Sequence, residues 1–371
     1  MPYSKILRTC GRMQNAKTNC RPSRQNGGIL FMMYARKTKG TAVHSCHQRQ
    51  ICKGIAFLLI FAAAVLCFCG CADKPDSAAT PAPGTNQIPA TEGPSAQTTY
   101  PYTFQDTAGN TVVVKQQPQK IVTVGPNLTE IVYALGKGSL MAGRTDYDNY
   151  PEEVAGVASI GELSQPNVEA IVALEPDIVL VSGTVMPDSV ESMKNFGLPV
   201  VVINDQASFD GVYDTIALVG RMLNASEQAE AVVRGMREQV AAVADQTAEA
   251  EKVSVYYVVG YGEYGDYTAT GDTFIGKMLE MAGGDNIAKH SEGWYFSKEA
   301  LIEADPYIII CSNLYNTKEG FCSAEGYKEL TAVKEGRVFE INTDPLDRQG
   351  PRLAEGLAVL ADILHGDRNA Q

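Results

Sequence analysis

The sequence predicts an α/β protein of two similar lobes with mostly parallel sheets, joined by a long connecting helix. Residues 120–124, 177–182 and 199–204 are near-continuous apolar runs too short for helices, which is typical of buried strands. Helical stretches alternate with these runs, and such alternation favours a parallel sheet covered on both faces. The same rhythm resumes after a long helical segment, so we expect a second lobe of the same design.

A repeated segment supports the prediction of two lobes. Residues 167–182 align without gaps on residues 297–312, at a constant offset of 130 positions. In each copy a helix-capping residue is followed two positions on by a glutamate, then by a short helix, an acidic residue with proline, and a buried strand. Glu169 and Glu299 therefore occupy matching places. Taken alone, each glutamate is explained by its favourable interaction with the N-terminal end of a helix dipole.

The remaining elements follow from capping and periodicity. Asn127 and Glu130 have the spacing of a capping box, which predicts a helix that runs to Leu135 and ends at Gly136. Residues 208–248 form one helical pattern, and its only interruption, at 224–226, is either a kink or a second N-cap. Further along the chain we expect strands at 253–259, 306–311 and 337–342, and helices near 273–281 and 351–364.

Charge is distributed unevenly along the chain. Residues 1–71 carry 11 of the 31 Lys and Arg residues and no Asp or Glu. Residues 72–371 carry the other 20 basic residues and all 43 acidic ones, a formal charge of −23. Nucleic acids and anionic lipids both require a basic surface, so this acidity argues against either as a partner.

The N-terminal segment has the features of an export signal. The only long apolar run, residues 55–68, has 14 residues, which is short for a transmembrane helix but suits a signal-peptide core. Gly70 and Cys71 follow it and resemble the cleavage pair of a bacterial lipobox, so Cys71 is the predicted lipidated residue. Phe68 and Cys69 depart from the usual lead-in, which leaves ordinary signal cleavage or an uncleaved anchor as alternatives.

These observations predict five segments. Residues 1–71 are an N-terminal extension with the signal peptide, and residues 72–101, rich in Ala, Pro, Thr, Ser and Gly, are a flexible tether. Only two cysteines, Cys311 and Cys322, follow Cys71, and they either pair or remain core thiols. The folded part is then divided into an N-terminal lobe at 102–207, a connecting helix at 208–250 and a C-terminal lobe at 251–371.

An ordered series of motifs resembles the iron-complex and cobalamin family of periplasmic binding proteins over residues 103–366. The resemblance implies a ligand cleft between the lobes and an extracytoplasmic lipoprotein, monomeric and without catalytic activity, that serves an ABC importer. It also implies a membrane permease with its ATPase as partner, contacted by one glutamate on each lobe, and Glu169 and Glu299 match these positions. The motifs are Asp-Thr-Ala-Gly-Asn at 106–110, Lys-Ile-Val at 120–122, Pro-Asn-Leu-Thr-Glu at 126–130, Gly-Arg-Thr-Asp-Tyr-Asp-Asn-Tyr-Pro at 143–151, and Val-Glu-Ala-Ile-Val-Ala-Leu-Glu-Pro-Asp at 168–177.

The resemblance also proposes ligand-binding residues. Tyr147, Tyr267 and Trp294 fall at cleft-lining positions of cobalamin-binding members, and Arg348 lies on a loop that often presents polar groups to the ligand. Flat aromatic faces suit a corrin or porphyrin ring, although packing in the core is the alternative for each aromatic residue. Trp294 is the only tryptophan, which departs from the cobalamin pattern. We therefore rank cobalamin or another corrinoid first and keep ferric siderophores and haem as alternatives.

Two other classes of function are disfavoured. After the predicted cleavage site the chain has only His290 and His365 as histidines, and no spaced set of ligands for a bare metal ion. Gly260, Gly262 and Gly265 match the dinucleotide fingerprint G-x-G-x-x-G after a predicted strand. However, the third glycine precedes a loop rather than a helix, so an enzyme of this kind is a remote alternative.

Overall fold

The computed structural model describes residues 97–263 and 265–366. The predicted signal segment, Cys71 and most of the predicted tether lie outside these residues. Within the described part, no helix is both long and apolar enough to cross a membrane.

The N-terminal lobe is a five-stranded parallel sheet preceded by a small hairpin. Its order is β5-β4-β3-β6-β7, and each of the three strands predicted before residue 205 is present. The elements in chain order are β1 (Tyr102–Gln105), β2 (Thr111–Val114), β3 (Ile121–Val124), α1 (Pro126–Ala134), β4 (Met141–Arg144), β5 (Ala158–Ser159), α2 (Val168–Ala173), β6 (Ile178–Ser182), α3 (Pro187–Asn195) and β7 (Val200–Ile203).

Helix α1 begins differently from the prediction. Its N-cap is Gly125, with no side-chain cap, and Pro126 is its first residue, so the predicted capping box is wrong. Gly125 has φ 154°, and a Cβ there would lie 2.8 Å from Cβ of Ser182, so this close approach to β6 favours glycine. The helix does end as predicted, because Gly136 adopts φ 69° and its N–H donates to Tyr133 O at 2.9 Å.

Two helices connect the lobes, so the prediction of one connecting helix over 208–250 is wrong. They are α4 (Phe209–Met222) and α5 (Ser226–Thr247). Asn224 between them has φ 52°, a left-handed conformation that ends α4. Ser226 is the first residue of α5 and makes no capping hydrogen bond, so it is not an N-cap. Helix α5 packs against α4 on one side and against helices of the C-terminal lobe on the other.

The C-terminal lobe repeats the design of the first. Its parallel strands have the order β10-β8-β11-β12, and β9 pairs antiparallel with β8. The repeated segments form α2 with β6 and α7 with β11, and each of these strands lies between two others of its sheet. The elements are β8 (Val253–Gly260), β9 (Tyr267–Thr268), α6 (Phe274–Met281), β10 (Gly284–Asn286), α7 (Lys298–Ala304), β11 (Ile308–Ser312), α8 (Thr317–Ser323), α9 (Thr331–Lys334), β12 (Val338–Ile341), α10 (Asp344–Asp347) and α11 (Leu353–His365).

One apolar core runs through both lobes. Residues of α1, α4, α5, α6 and α11 pack in it together with one face of each sheet. The opposite faces pack in two smaller clusters, one per lobe. Along β6, for example, Ile178 and Leu180 belong to the shared core, whereas Val179 and Val181 belong to the smaller cluster. Both sheets are therefore covered on both faces, as the uninterrupted apolar runs predicted.

Candidate functional site

The carboxyl ends of the two parallel sheets carry the residues from which a ligand site can be built. Strand β4 ends at Arg144, three residues before Tyr147, and β11 ends at Ser312, three residues before Tyr315. Ligands of open parallel sheets bind beyond the carboxyl ends of the strands, where loops converge. The candidate site is therefore the cleft between these two sets of loops.

A buried ion cluster joins the two lobes. Glu130 on α1 is 3% exposed and accepts hydrogen bonds from two arginines of the C-terminal lobe. Arg352 donates from Nε to Oε2 at 2.9 Å and from Nη2 to Oε1 at 2.6 Å. Arg348 donates from Nη1 to Oε1 at 3.0 Å. These charge-assisted bonds include a bidentate pair, the geometry that fixes orientation most strongly.

Arg348 makes further contacts on both sides of the junction. Its Nη1 donates to Asn149 Oδ1 at 2.7 Å, and its Nη2 donates to the carbonyl of Tyr147 at 3.3 Å and lies 3.0 Å from Asp344 Oδ2. The side chain is 11% exposed. Its guanidinium thus already holds the two lobes together beside Tyr147, and contact with a ligand stays a prediction.

Asp148 lies at the base of the same junction. The residue is 4% exposed, and its Oδ2 accepts hydrogen bonds from the backbone N–H and the hydroxyl of Thr145. Burial raises the pKa of Asp148, while hydrogen bonds from Thr129 and Thr145 and the charge of Arg348 oppose that rise. Among the described residues, no hydrogen-bond partner is found for Oδ1. This carboxylate is therefore less favourably placed than Glu130.

An open groove lies beside the ion cluster, on the side of α1. Its volume is about 560 Å³. Tyr150 forms one wall, and the guanidinium of Arg352 lies 4.0 Å from the centre of its ring. The other lining residues are Glu130, Tyr133, Ala134, Gly136, Gly138, Ser139, Pro151, Glu153, Pro351, Arg352 and Glu355.

Tyr147 is half-buried and lies three residues after the end of β4. Its hydroxyl donates to Glu162 Oε2 at 2.9 Å. That hydrogen bond raises the pKa of Tyr147, with smaller contributions from partial burial and from the charges of Glu162, Tyr315 and Asp146. Tyr315, one of the groups that raise this pKa, belongs to the loop after β11 of the other lobe.

Tyr267 lies on β9, at the edge of the C-terminal sheet. Its ring meets that of Tyr295 edge-on, at 6.4 Å between centroids and 76° between planes. Tyr295 is 55% exposed, so the pair presents aromatic surface near the carboxyl end of β8. The segment from Gly260 to Gly265 leads into β9 and not into a helix, which removes the structural context that a dinucleotide fingerprint requires.

Trp294 is half-buried and packs partly against the shared core. Its backbone has φ 67°, and its N–H donates to Thr270 Oγ1 at 3.1 Å. Its carbonyl accepts a hydrogen bond from the N–H of Thr268 at 2.8 Å. Trp294 thus has a clear packing role, and its contact with a ligand stays a prediction.

The two matched glutamates lie in equivalent, exposed positions. Glu169 and Glu299 are each in the first turn of a short helix, α2 and α7. Asn167 Oδ1 caps α2 by accepting from Ala170 N at 3.0 Å, and Ser297 Oγ caps α7 by accepting from Ala300 N at 3.1 Å. The predicted caps are confirmed, and the same local geometry presents one carboxylate on each lobe.

Several site residues were not found from the sequence. Glu130 was assigned to a capping box, and its arginine partners lie 218 and 222 positions away in the chain. Tyr315 follows a buried strand as Tyr147 does, which is the one signal that could have indicated it.

The described residues include no cluster of His, Cys, Asp or Glu able to hold a metal ion, and Cys311 and Cys322 are both free thiols.

Comparison with known proteins identifies the family. A family model described as periplasmic binding protein matches residues 121–345. An uncharacterized ABC transporter substrate-binding lipoprotein of Bacillus subtilis, YvrC, is 33% identical over 322 residues, which cover 85% of this chain and 97% of that protein. A cobalamin-binding protein of Halobacterium salinarum is 30% identical over 279 residues, covering 72% and 74%.

A solved structure supports the same assignment. The crystal structure of a periplasmic solute-binding protein of Staphylococcus epidermidis, described as a possible iron-binding protein, superposes with a TM-score of 0.60 at 29% identity. It covers 67% of this chain and 99% of that one. The two-lobed fold and the family predicted from the motifs are confirmed, and the chain belongs to the periplasmic binding protein family of ABC importers.

Proposed function

We propose that this chain captures cobalamin or another corrinoid between its lobes and delivers it to a membrane permease. The observation that carries the proposal is the set of tyrosines at the facing carboxyl ends of the sheets, Tyr147 on one lobe and Tyr267 with Tyr295 on the other. Aromatic rings offer a flat macrocycle a large apolar contact with few torsions to freeze. The cobalamin-binding relative supports the choice of ligand class.

The charges near the cleft favour a corrinoid over a ferric siderophore, which is commonly anionic and needs free positive charge. Arg144 and Arg348 are the basic candidates, and both already have partners. Arg144 Nη1 donates to Thr145 O at 2.8 Å and lies 3.9 Å from Asp146 Oδ1. Arg348 is shared between Glu130 and Asp344. Both guanidinium groups therefore already have protein partners, although Nε of Arg144 is buried without a hydrogen-bond partner among the described residues.

Delivery uses Glu169 and Glu299 as the two contacts with the permease. Exposed carboxylates can pair with arginines in bidentate, salt-sensitive fashion, which orients a complex more than it tightens it. One carboxylate on each lobe would place the mouth of the cleft over the translocation pathway. Lipidation of Cys71 would keep the protein at the membrane surface, with the chain after Cys71 as a tether.

The test of this function is calorimetric titration of residues 88–371 with cyanocobalamin, haemin and a ferric siderophore. Starting at 88 keeps two contacts of the first described residues, because Thr98 N donates to Asn224 Oδ1 and Tyr100 Oη donates to Met222 O. We expect one-to-one binding of cyanocobalamin, with a change in Trp294 fluorescence. Binding of haemin or the siderophore alone would replace the corrinoid, and binding of none of them would reject the proposed function.

A further inference from the structure

Tyr315 is an exposed aromatic residue on a constrained loop. It is 67% exposed, so its ring contributes little buried apolar area to the stability of the fold. Its φ is 59° and that of Asn316 is 55°, so two consecutive residues adopt the left-handed conformation. Asparagine tolerates this conformation, whereas a bulky residue such as tyrosine rarely adopts it. Such unfavourable backbone conformations cluster at binding sites, where the surrounding structure maintains them.

The loop that carries Tyr315 is held in place on both sides. The N–H of Leu314 donates to Ser312 Oγ at 3.1 Å, at the end of β11. The hydroxyl of Thr317, in the first turn of α8, donates to Leu314 O at 2.6 Å. The exposed ring is therefore presented from a defined position.

The sheet topology places this loop at the same edge of the sheet as the segment that contacts Tyr147. Ser312 is in register with Ile341 of β12, and Asn313 N donates to Ile341 O at 2.9 Å. The chain after β12 reaches Arg348, whose Nη2 donates to the carbonyl of Tyr147 at 3.3 Å. The segments that carry Tyr315 and Arg348 thus both follow the carboxyl ends of neighbouring strands, and Arg348 contacts Tyr147 of the other lobe.

We infer that Tyr147 and Tyr315 are the opposing walls of the ligand site and that they act through their rings, not by ligating a metal through a phenolate oxygen. This inference rests on the proposed function and assigns Tyr315 as an additional binding residue. The hydroxyl of Tyr147 already donates its proton to Glu162 at 2.9 Å. The negative charge of this neighbouring carboxylate disfavours ionisation of the phenol to a phenolate. The raised pKa of Tyr147 agrees with this geometry.

The site so defined takes a flat conjugated macrocycle whose metal is already coordinated by the ligand itself. A corrinoid meets that requirement. A ferric haem that needed a tyrosinate as its axial ligand would not find one in Tyr147.

The test compares ring removal with hydroxyl removal in the full-length chain, purified in detergent and titrated with cyanocobalamin and with haemin. We expect Tyr315→Ala and Tyr147→Ala each to weaken cyanocobalamin binding by about tenfold or more. Tyr315→Phe and Tyr147→Phe should stay within about threefold of the wild type, because they keep the ring. Phe196→Ala removes a comparably exposed ring, 58% exposed, which lies just after α3 and before β7 begins, and should leave affinity unchanged.

The possible failures are distinguishable. A wild-type protein that binds neither cyanocobalamin nor haemin rejects the proposed function together with the inference. A wild-type protein that binds either ligand, with an unchanged Tyr315→Ala variant, rejects only the inference. If the phenylalanine variants bind cyanocobalamin as weakly as the alanine variants do, the phenol oxygens and not the rings bind the ligand. That result would also overturn the inference.

Nitration of tyrosines is a second test of the place of Tyr315 in the ligand site, and it requires no substitution. Bound cyanocobalamin should protect Tyr315 from tetranitromethane, as measured by mass spectrometry of peptides. Tyr307 lies just before β11, at the opposite end of the strand, and is 42% exposed. It should be modified equally with and without ligand. Equal modification of Tyr315 in saturating ligand would contradict its place in the site.

Discussion

Arg352 of the C-terminal lobe and Glu130 of the N-terminal lobe form a bidentate ion pair at the junction between the lobes, with bonds of 2.9 and 2.6 Å. The Glu130 side chain is 2% exposed in this pair and that of Arg352 is 12% exposed. The carboxylate raises the pKa of Arg352 above its ordinary value, so the guanidinium stays charged. The pair therefore links two halves of the chain through charges that water barely reaches.

Loss of Glu130 should destabilise the whole protein. Glu130→Ala leaves Arg348 and Arg352 beside each other without their shared counter-ion, and breaking a buried pair in this way costs about 3 kcal/mol of the free energy of unfolding. Urea denaturation of residues 88–371 measures the difference. Glu355→Ala is the control, because Glu355 lines the same groove but is exposed, and should change stability by less than about 0.5 kcal/mol. Equal losses in the two variants would contradict a structural role for the ion cluster.

The strands could be predicted from sequence because both faces of each sheet are buried. Ile178 packs in the shared core and Val179 in the smaller cluster on the opposite face of the sheet. A strand that is buried on both faces is a short, continuous apolar run, and this pattern identified it in the sequence. The sequence indicated an interruption at 224–226 but not that it separates two helices, because Asn224, Ala225 and Ser226 are also compatible with a kinked helix. The left-handed φ of Asn224 instead accompanies its contact with Thr98, far away in the chain.

The candidate site was only partly predictable for a related reason. Tyr147 lies within an ordered motif, and Glu169 and Glu299 lie in a repeat, so local patterns indicated them. Glu130 has the local spacing of a capping box, but its partners are more than 200 positions away. Tertiary pairing of this kind leaves no trace in a local window of sequence.

The two helix caps should contribute equally to stability. Asn167→Ala and Ser297→Ala each remove a side-chain hydrogen bond to a backbone N–H, at 3.0 and 3.1 Å, and should each cost about 1 kcal/mol. Ser226→Ala is the matched control, because Ser226 lies at the start of α5 without capping it. Thermal unfolding of the three variants checks this expectation. If Ser226→Ala lowered stability as much as the other two substitutions, the losses of stability could not be attributed to helix capping.

Cys311 should be an unreactive thiol in the folded protein. Burial is the largest cause that raises the pKa of Cys311, to about 12, and the side chain is 0% exposed. An ordinary thiol has a pKa near 8.5, so at pH 8 the thiolate fraction of Cys311 is lower by roughly a thousandfold. In residues 88–371 with Cys322→Ser, Cys311 is the sole thiol. Reaction with Ellman's reagent should be slow in buffer and fast in guanidinium chloride, and equally fast reaction in both would contradict burial.

Asp148 should make stability depend on pH. Burial raises its folded-state pKa above the unfolded value of about 3.9. Its stabilising contribution is thus fully present below about pH 3.9 and is lost as pH rises through the folded pKa. Asp148→Asn cannot ionise, so its free energy of unfolding relative to the wild type should increase between pH 4 and pH 7. Urea denaturation at several pH values measures this trend, with Asp214→Asn, an exposed position on α4, as the control for removing a carboxylate. If the difference in free energy of unfolding between Asp148→Asn and the wild type did not change with pH, the predicted role of Asp148 would be refuted.

The proposed docking residues should affect transport without affecting capture. Glu169→Gln and Glu299→Gln remove one charge from each lobe, and a close charge pair at an interface is worth about 1.5 kcal/mol, or about tenfold in affinity. Each single variant should therefore lower uptake of labelled cyanocobalamin by cells, and the double variant should reduce uptake to that of cells lacking the protein. Calorimetric affinity for the ligand should remain that of the wild type, because neither side chain lies at the carboxyl ends of the strands.

A matched variant separates docking from a general effect of surface charge. Glu303 is exposed on the same helix as Glu299, one turn further on, so Glu303→Gln removes the same charge from the same element. Its uptake should equal that of the wild type. Added salt should weaken binding of the wild type to permease in vesicles more than binding of the double variant, because screening acts on the charges that the variant lacks. If the double variant transports normally, the glutamates act only on their helices, and the permease must recognise another part of the lobes.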